Sequence, residues 1–156
     1  MRAQEALKIA VIGTGYVGLT TGLALAYLGH KVSCVDKDPE IVEKLKKGQP
    51  SFHEPGAAEL LKKIAHRMKF TENLADAAGA DVYIIAVGTP SKENGDADLS
   101  FVEETATCIG ELLREGGKTV VVNKSTVPIG TARRVEAVIG NTLRKKGVAA
   151  EVTVAS

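Results

Sequence analysis

At 156 residues and a formal net charge of +1, the chain has the size of one domain that buries its own core, with no global pull toward nucleic acid or an anionic membrane. An aromatic content of 4% without tryptophan excludes a base-stacking platform for single-stranded nucleic acid. The rest of the composition, 44% hydrophobic and 25% charged, is that of an ordinary α/β protein.

Taken in chain order, MRAQEALK lacks the apolar core of a signal peptide, and no apolar run reaches membrane-spanning length, so a cytoplasmic protein is expected. Leu7 to Ile12 reads as a short strand. Tyr16 to Leu28 reads as a buried helix rich in small residues and stopped by Gly29. Lys31 to Val35 is a second strand, and Pro39 opens a helix running to Lys47. Gln49 to Gly56 is turn-rich; Leu60, Leu61, Ile64, Ala65 and Met68 then keep helical spacing, with a short strand near Met68 to Phe70. Thr71 is placed to cap a brief helix up to Ala78. Asp81 to Val87 is a continuous apolar run of strand length, as in a parallel sheet covered on both faces. A helix from about Phe101 to Arg114, a strand Lys118 to Asn123, a helix ending near Lys146 and a strand Val148 to Val154 complete the chain. Six strands alternating with helical segments make two βαβαβ halves, which predicts an α/β Rossmann fold: a doubly wound, parallel, six-stranded sheet with helices on both faces.

Within that fold the stretch GTGYVGL has a specific use. Gly13 permits the strand-to-helix turn, Gly15 lets the backbone approach a pyrophosphate, and Gly18 lets helix and strand pack closely. The helix N-terminus offers free N–H groups and the positive end of its dipole. Asp36 ends the second strand, where a carboxylate accepts hydrogen bonds from the adenosine ribose and repels a 2′-phosphate, so NAD is expected over NADP. Ligands of such sheets lie beyond the carboxyl ends of the strands. That draws attention to GTPS (Gly88 to Ser91) and KSTVPIGT (Lys124 to Thr131), whose Thr89 and Thr126 either aim hydroxyls at the cofactor or cap helices.

Other residues invite blander readings. Cys34 and Cys108 lie far apart without CxxC or Cys/His spacing, so no metal site is expected and both are read as buried, inert thiols. Arg133, Arg134, Arg144, Lys145 and Lys146 read as a solvated helix face. His53 and Glu54 are neighbours in a turn and are read as structural or as contacts to another domain; His30, His66, Glu103 and Glu104 are read as surface residues.

GTGYVGL, VDKD, EPG followed by ELL, AVGTPS with a later DADLS, and KSTVPIGT stand together and in order, and with them nearly the whole chain resembles the N-terminal domain of the UDP-glucose/GDP-mannose dehydrogenase family. The resemblance implies residues 1–156 as a single NAD-binding domain whose enzyme oxidises the C6 alcohol of a nucleotide sugar to a carboxylate. It does so by two hydride transfers to NAD, with a cysteine thiol of a later substrate domain holding the intermediate aldehyde. By the same resemblance Gly13, Gly15, Tyr16, Val17, Gly18, Asp36, Thr89 and Thr126 match cofactor-binding positions, and Thr126 also matches a threonine that orients an active-site water. Neither Cys34 nor Cys108 stands in a motif resembling the catalytic thiol's surroundings, so this chain by itself is expected to be inactive. The nucleotide-sugar substrate is expected to engage through the later domain, and the full-length enzyme to be a homodimer. Ile41 stands where the family often carries Lys or Arg, which predicts weaker NAD binding unless Lys37 substitutes. UDP-glucose is the favoured substrate class. The alternatives are GDP-mannose, a UDP-N-acetyl-hexosamine, a β-hydroxyacid-type dehydrogenase and a non-catalytic NAD-binding module.

Overall fold

The computed structural model describes residues 5–50, 52 and 54–156. Its strands are β1 (Lys8–Ile12), β2 (Lys31–Val35), β3 (Met68–Thr71), β4 (Val82–Ile85), β5 (Lys118–Asn123) and β6 (Glu151–Ala155). They form one sheet of order β3-β2-β1-β4-β5-β6, parallel at every pairing. The helices are α1 (Tyr16–Tyr27), α2 (Pro39–Lys46), α3 (Ala57–Ile64), α4 (Ser100–Leu112) and α5 (Thr131–Lys146). This is the doubly wound architecture expected from the alternation of elements.

Two hydrophobic clusters sandwich the sheet. Leu19, Leu23 and Ala26 of α1 and Leu61 and Ile64 of α3 bury against Ile9, Val11, Val32 and Cys34. On the other face Val102, Ala106 and Ile109 of α4 and Val135, Ile139 and Leu143 of α5 bury against Ala10, Ile12, Tyr83, Ile85 and Val121. Alternate residues of β1 enter opposite clusters, which is why its apolar run is continuous.

The boundaries depart from the sequence reading where backbone donors have better partners. Asp38 caps α2 by accepting from the Glu40 N–H, ahead of Pro39. The brief helix expected after Thr71 is a single 3-10 turn, Leu74–Ala77, capped by Asn73; Thr71 instead ends β3 and accepts from the Asn73 N–H. Met68 opens β3 and does not close α3, which stops at Ile64. β6 begins at Glu151 because Val148 is used elsewhere. Gly147, with φ +67°, ends α5 in a Schellman-type closure in which the Val148 N–H bonds to the Leu143 carbonyl.

Several surface expectations also change. Cys108 is exposed, since it falls on the outer side of α4 between the buried stripe residues; Cys34 is buried as expected. Lys146 is not part of a solvated face: its ammonium donates to the carbonyls of Gly110 and Leu113 and closes the C-terminal end of α4. Glu103 is half-buried and pairs with Arg134, whereas Glu104 is exposed. His30 is half-buried and accepts the Leu7 N–H through Nδ1. His66 is exposed; His53 lies outside the described residues.

Candidate dinucleotide site

The three glycines do three different things. Gly13 adopts φ +93°, and a Cβ there would stand 2.5 Å from the carbonyl oxygen of Ala86, so the turn after β1 needs glycine both for its conformation and for its closeness to the chain leaving β4. A Cβ on Gly18 would meet the Gly13 carbonyl oxygen at 1.9 Å, which presses α1 onto its own entry turn. Gly15 is the contrast. It has ordinary extended angles, and nothing lies within 4 Å of where its Cβ would be. Packing does not require glycine here; keeping the approach to the backbone clear does.

Gly15 is also the N-cap of α1, with no side chain capping the helix and no acidic residue in its first turn. The first N–H groups of a helix have no intrahelical partner. This end of α1 therefore presents donors and a positive dipole end toward an unobstructed surface.

Asp36 is set beside this turn. Its Oδ2 accepts from the Thr14 N–H at 2.8 Å and from the Thr14 hydroxyl at 2.5 Å, and its Oδ1 accepts from the Asp38 N–H at 3.1 Å. Thr14 is fully buried, so the anchor is rigid; both lone-pair sites of Oδ2 are taken, while Oδ1 keeps acceptor capacity for another donor. Sequence reasoning missed Thr14; it is an unspecified position inside the glycine motif, and only the fold brings its hydroxyl under Asp36.

Tyr16 and Val17, in the first turn of α1, are exposed. The Tyr16 hydroxyl donates to the Glu54 carboxylate at 3.1 Å, and its ring packs on Phe52 with centroids 4.9 Å apart. The hydrogen bond to Glu54 raises the phenol above its ordinary value, because the carboxylate favours the protonated form. Glu54, read as a turn residue, thus belongs to the rim of this site.

Beyond β4 and β5 the two loops are tied together. The Thr89 hydroxyl donates to the Thr126 carbonyl at 2.9 Å, and the Ser125 hydroxyl donates to the Val87 carbonyl at 2.8 Å. Thr89 is half-buried in this tie, while Thr126 is exposed. Asn123 ends β5 directly below, 4% exposed, and neither of its amide atoms has a hydrogen-bond partner among the described residues. The structure therefore gathers Gly13, Gly15, Gly18, Tyr16, Val17 and Asp36 at the carboxyl ends of β1 and β2, with Thr89 and Thr126 at the ends of β4 and β5. A depression lined by Lys8, Lys31, Arg67 and Met68 lies at the opposite, amino-terminal end of the strands, away from these groups.

A dinucleotide fits this arrangement. The open Gly15 cradle and uncapped α1 suit a pyrophosphate, and the free acceptor position on Asp36 Oδ1 suits a ribose hydroxyl, leaving the tied loops at the far end for the redox-active ring. Cys34 is a poor nucleophile here: burial, with a smaller contribution from the Asp36 charge, pushes its thiol up to about 12.

Comparison with known proteins agrees. The model of the UDP-glucose/GDP-mannose dehydrogenase family, NAD binding domain, matches residues 7–156. UDP-glucose 6-dehydrogenase of Pseudomonas aeruginosa is 45% identical over 153 residues, covering 96% of this chain and 33% of that protein. UDP-glucose 6-dehydrogenase of Rhizobium meliloti is 48% identical over 154 residues, covering 96% of this chain and 34% of that protein. Among solved structures, a UDP-glucose dehydrogenase from Pyrobaculum islandicum superimposes with a TM-score of 0.87 at 37% identity, covering 99% of this chain and 36% of that one. A ternary complex of GDP-mannose dehydrogenase from Pseudomonas aeruginosa gives a TM-score of 0.86 at 35% identity, covering 95% and 35%. The chain spans about a third of the length of the curated relatives it matches. NAD is accordingly the dinucleotide that the site takes. From glycine turn to last strand, this chain belongs to the UDP-glucose/GDP-mannose dehydrogenase family and is its NAD-binding domain.

Proposed function

We propose that this chain is the cofactor-binding part of a nucleotide-sugar 6-dehydrogenase acting on UDP-glucose. The observation that carries the reading is the unobstructed Gly15 N-cap standing beside an Asp36 carboxylate held by Thr14. The UDP-glucose 6-dehydrogenases of Pseudomonas aeruginosa and Rhizobium meliloti support the choice of substrate. GDP-mannose is the second reading, favoured by the similarity to the GDP-mannose dehydrogenase structure.

When bound, NAD supplies the hydride acceptor for both oxidation steps from alcohol to carboxylate. The residues here do the holding. The α1 N-terminus offsets the pyrophosphate charge, and Asp36 Oδ1 accepts from a ribose hydroxyl. Tyr16 and Val17 line the entry, and Thr89 and Thr126 shape the end nearest the substrate. Thr126, exposed above the tie it receives from Thr89, orients a water there.

The covalent step falls to a thiol outside this chain, since Cys34 is buried and Cys108 lies on the outer side of α4. The substrate domain, the nucleotide-sugar contacts and a homodimer interface belong to the rest of the enzyme, which works in the cytoplasm. Calorimetric titration with NAD, in the parent and in Asp36→Ala, checks the reading together with an assay for NADH formation from UDP-glucose. The expected result is NAD binding that falls at least about tenfold in Asp36→Ala, roughly 1.4 kcal/mol, with no turnover by the chain alone. A parent that fails to bind NAD sinks the cofactor role, and turnover without a further domain sinks the division of labour.

A further inference from the structure

Lys37 directly follows Asp36, and the two carry opposite instructions. A carboxylate at the ribose selects a 2′-hydroxyl, whereas a nearby basic side chain is what accommodates a 2′-phosphate. The sequence VDKD alone therefore leaves an ambivalent site.

The structure separates the two groups. Asp36 turns in toward the glycine loop, where Thr14 holds it. Lys37 runs to the other side of the sheet: its Nζ lies 4.1 Å from the centroid of the Phe101 ring. Phe101 stands in the first turn of α4, which packs on the face opposite α1, and it is 36% exposed. Lys37 forms no ion pair among the described residues, and its ammonium rests on the ring face. The third charge of the segment, Asp38, is committed to capping α2.

We propose that Phe101 is a specificity-determining residue for the cofactor: its ring holds the Lys37 ammonium away from the adenosine ribose, so that Asp36 alone faces the 2′ position. The inference rests on the NAD-binding reading and adds to it a second element of selectivity, supplied from α4 and not from the β2 loop. A cation over an exposed aromatic ring is held by roughly two- to fivefold in equilibrium terms, enough to bias a flexible lysine and small enough to be undone by one substitution.

The experiment is calorimetric titration of the full chain with NAD and with NADP, the latter by competition where it is weak. It is run for the parent, Phe101→Leu and the double variant Phe101→Leu with Lys37→Met. Phe101→Leu is expected to tighten NADP relative to NAD by about twofold to fivefold, through the released ammonium. The double variant is expected to return to the parent ratio. A ratio unmoved by Phe101→Leu overturns the inference, and so does a gain that survives the loss of Lys37. Phe101→Met serves the same purpose should the leucine variant fold poorly, a fall in melting temperature giving the warning. A parent that binds neither dinucleotide fails the NAD-binding reading itself, an outcome distinct from NAD binding with an unmoved ratio.

Discussion

Gly15 and Gly18 lie three positions apart in one motif, yet the structure predicts opposite consequences for the same substitution. Gly18→Ala drives a Cβ into the Gly13 carbonyl at 1.9 Å, a backbone contact that cannot give way. It is expected to cost about 3 kcal/mol or more and to lower the melting temperature sharply. Gly15→Ala meets nothing within 4 Å and is expected to leave stability within about 0.5 kcal/mol. Its NAD affinity should nevertheless fall by about tenfold, because the methyl group stands where the proposed site receives the pyrophosphate. Thermal denaturation and NAD titration of the two variants separate the roles; a large loss of stability in Gly15→Ala contradicts the open cradle. Cys34 supplies a prediction in pH. Its folded-state value of about 12 lies above the ordinary 9.0, so the protonated thiol's contribution is fully present below pH 9 and is lost as pH rises from 9 toward 12. Denaturant unfolding of the parent and of Cys34→Ala should give a stability difference that is constant below pH 9 and shifts against the parent above it. A difference that stays flat through pH 10 and beyond removes the effect of burial. These contrasts were only partly legible beforehand: the motif located all three glycines, but which one packs and which one stays open depends on Ala86 and Gly13 lying alongside.

Pairs of elements show the same dependence on close approach. Helices α4 and α5 touch where a Cβ on Gly110 would stand 2.8 Å from Thr142 Cβ and 2.9 Å from its Cγ2. Gly110→Ala should therefore destabilise by about 1–3 kcal/mol through overpacking. Thr142→Ser, which removes the Cγ2 methyl and keeps the hydroxyl that donates to the Val138 carbonyl, should recover part of that loss when combined with it. Strict additivity of the two changes in denaturant unfolding argues against the contact. The sequence places Gly110 inside a helical pattern and says nothing of a partner. Its pattern also puts Lys146 on a solvated face, although the stem carries the ammonium across to the last carbonyls of α4. Thr71 and Val148 were misread for a related reason. Their neighbourhood satisfies propensity rules for a helix start and a strand start, but the N–H of Asn73 and the carbonyl of Leu143 claim them first.

For the whole molecule, the order β3-β2-β1-β4-β5-β6 places the reversal of strand order between the parallel neighbours β1 and β4. In the proposed function the two halves of a dinucleotide fall on either side of it, Asp36 on one and the Thr89 and Thr126 loops on the other. The sequence by itself determined the alternation of elements, the parallel sheet and the glycine turn with its acid. Each of these is written in local pattern: continuous apolar runs, glycines at fixed spacing, and a carboxylate at a strand end. Tertiary structure alone decided that Thr14 anchors Asp36, that Lys37 lies over Phe101, that Glu54 meets Tyr16 and that the Thr89 and Thr126 loops are tied. These pairings join residues 22 to 64 positions apart, as numbered. Local pattern carries no information on which polar side chains converge at that range; the packing of helices on two faces of one sheet does.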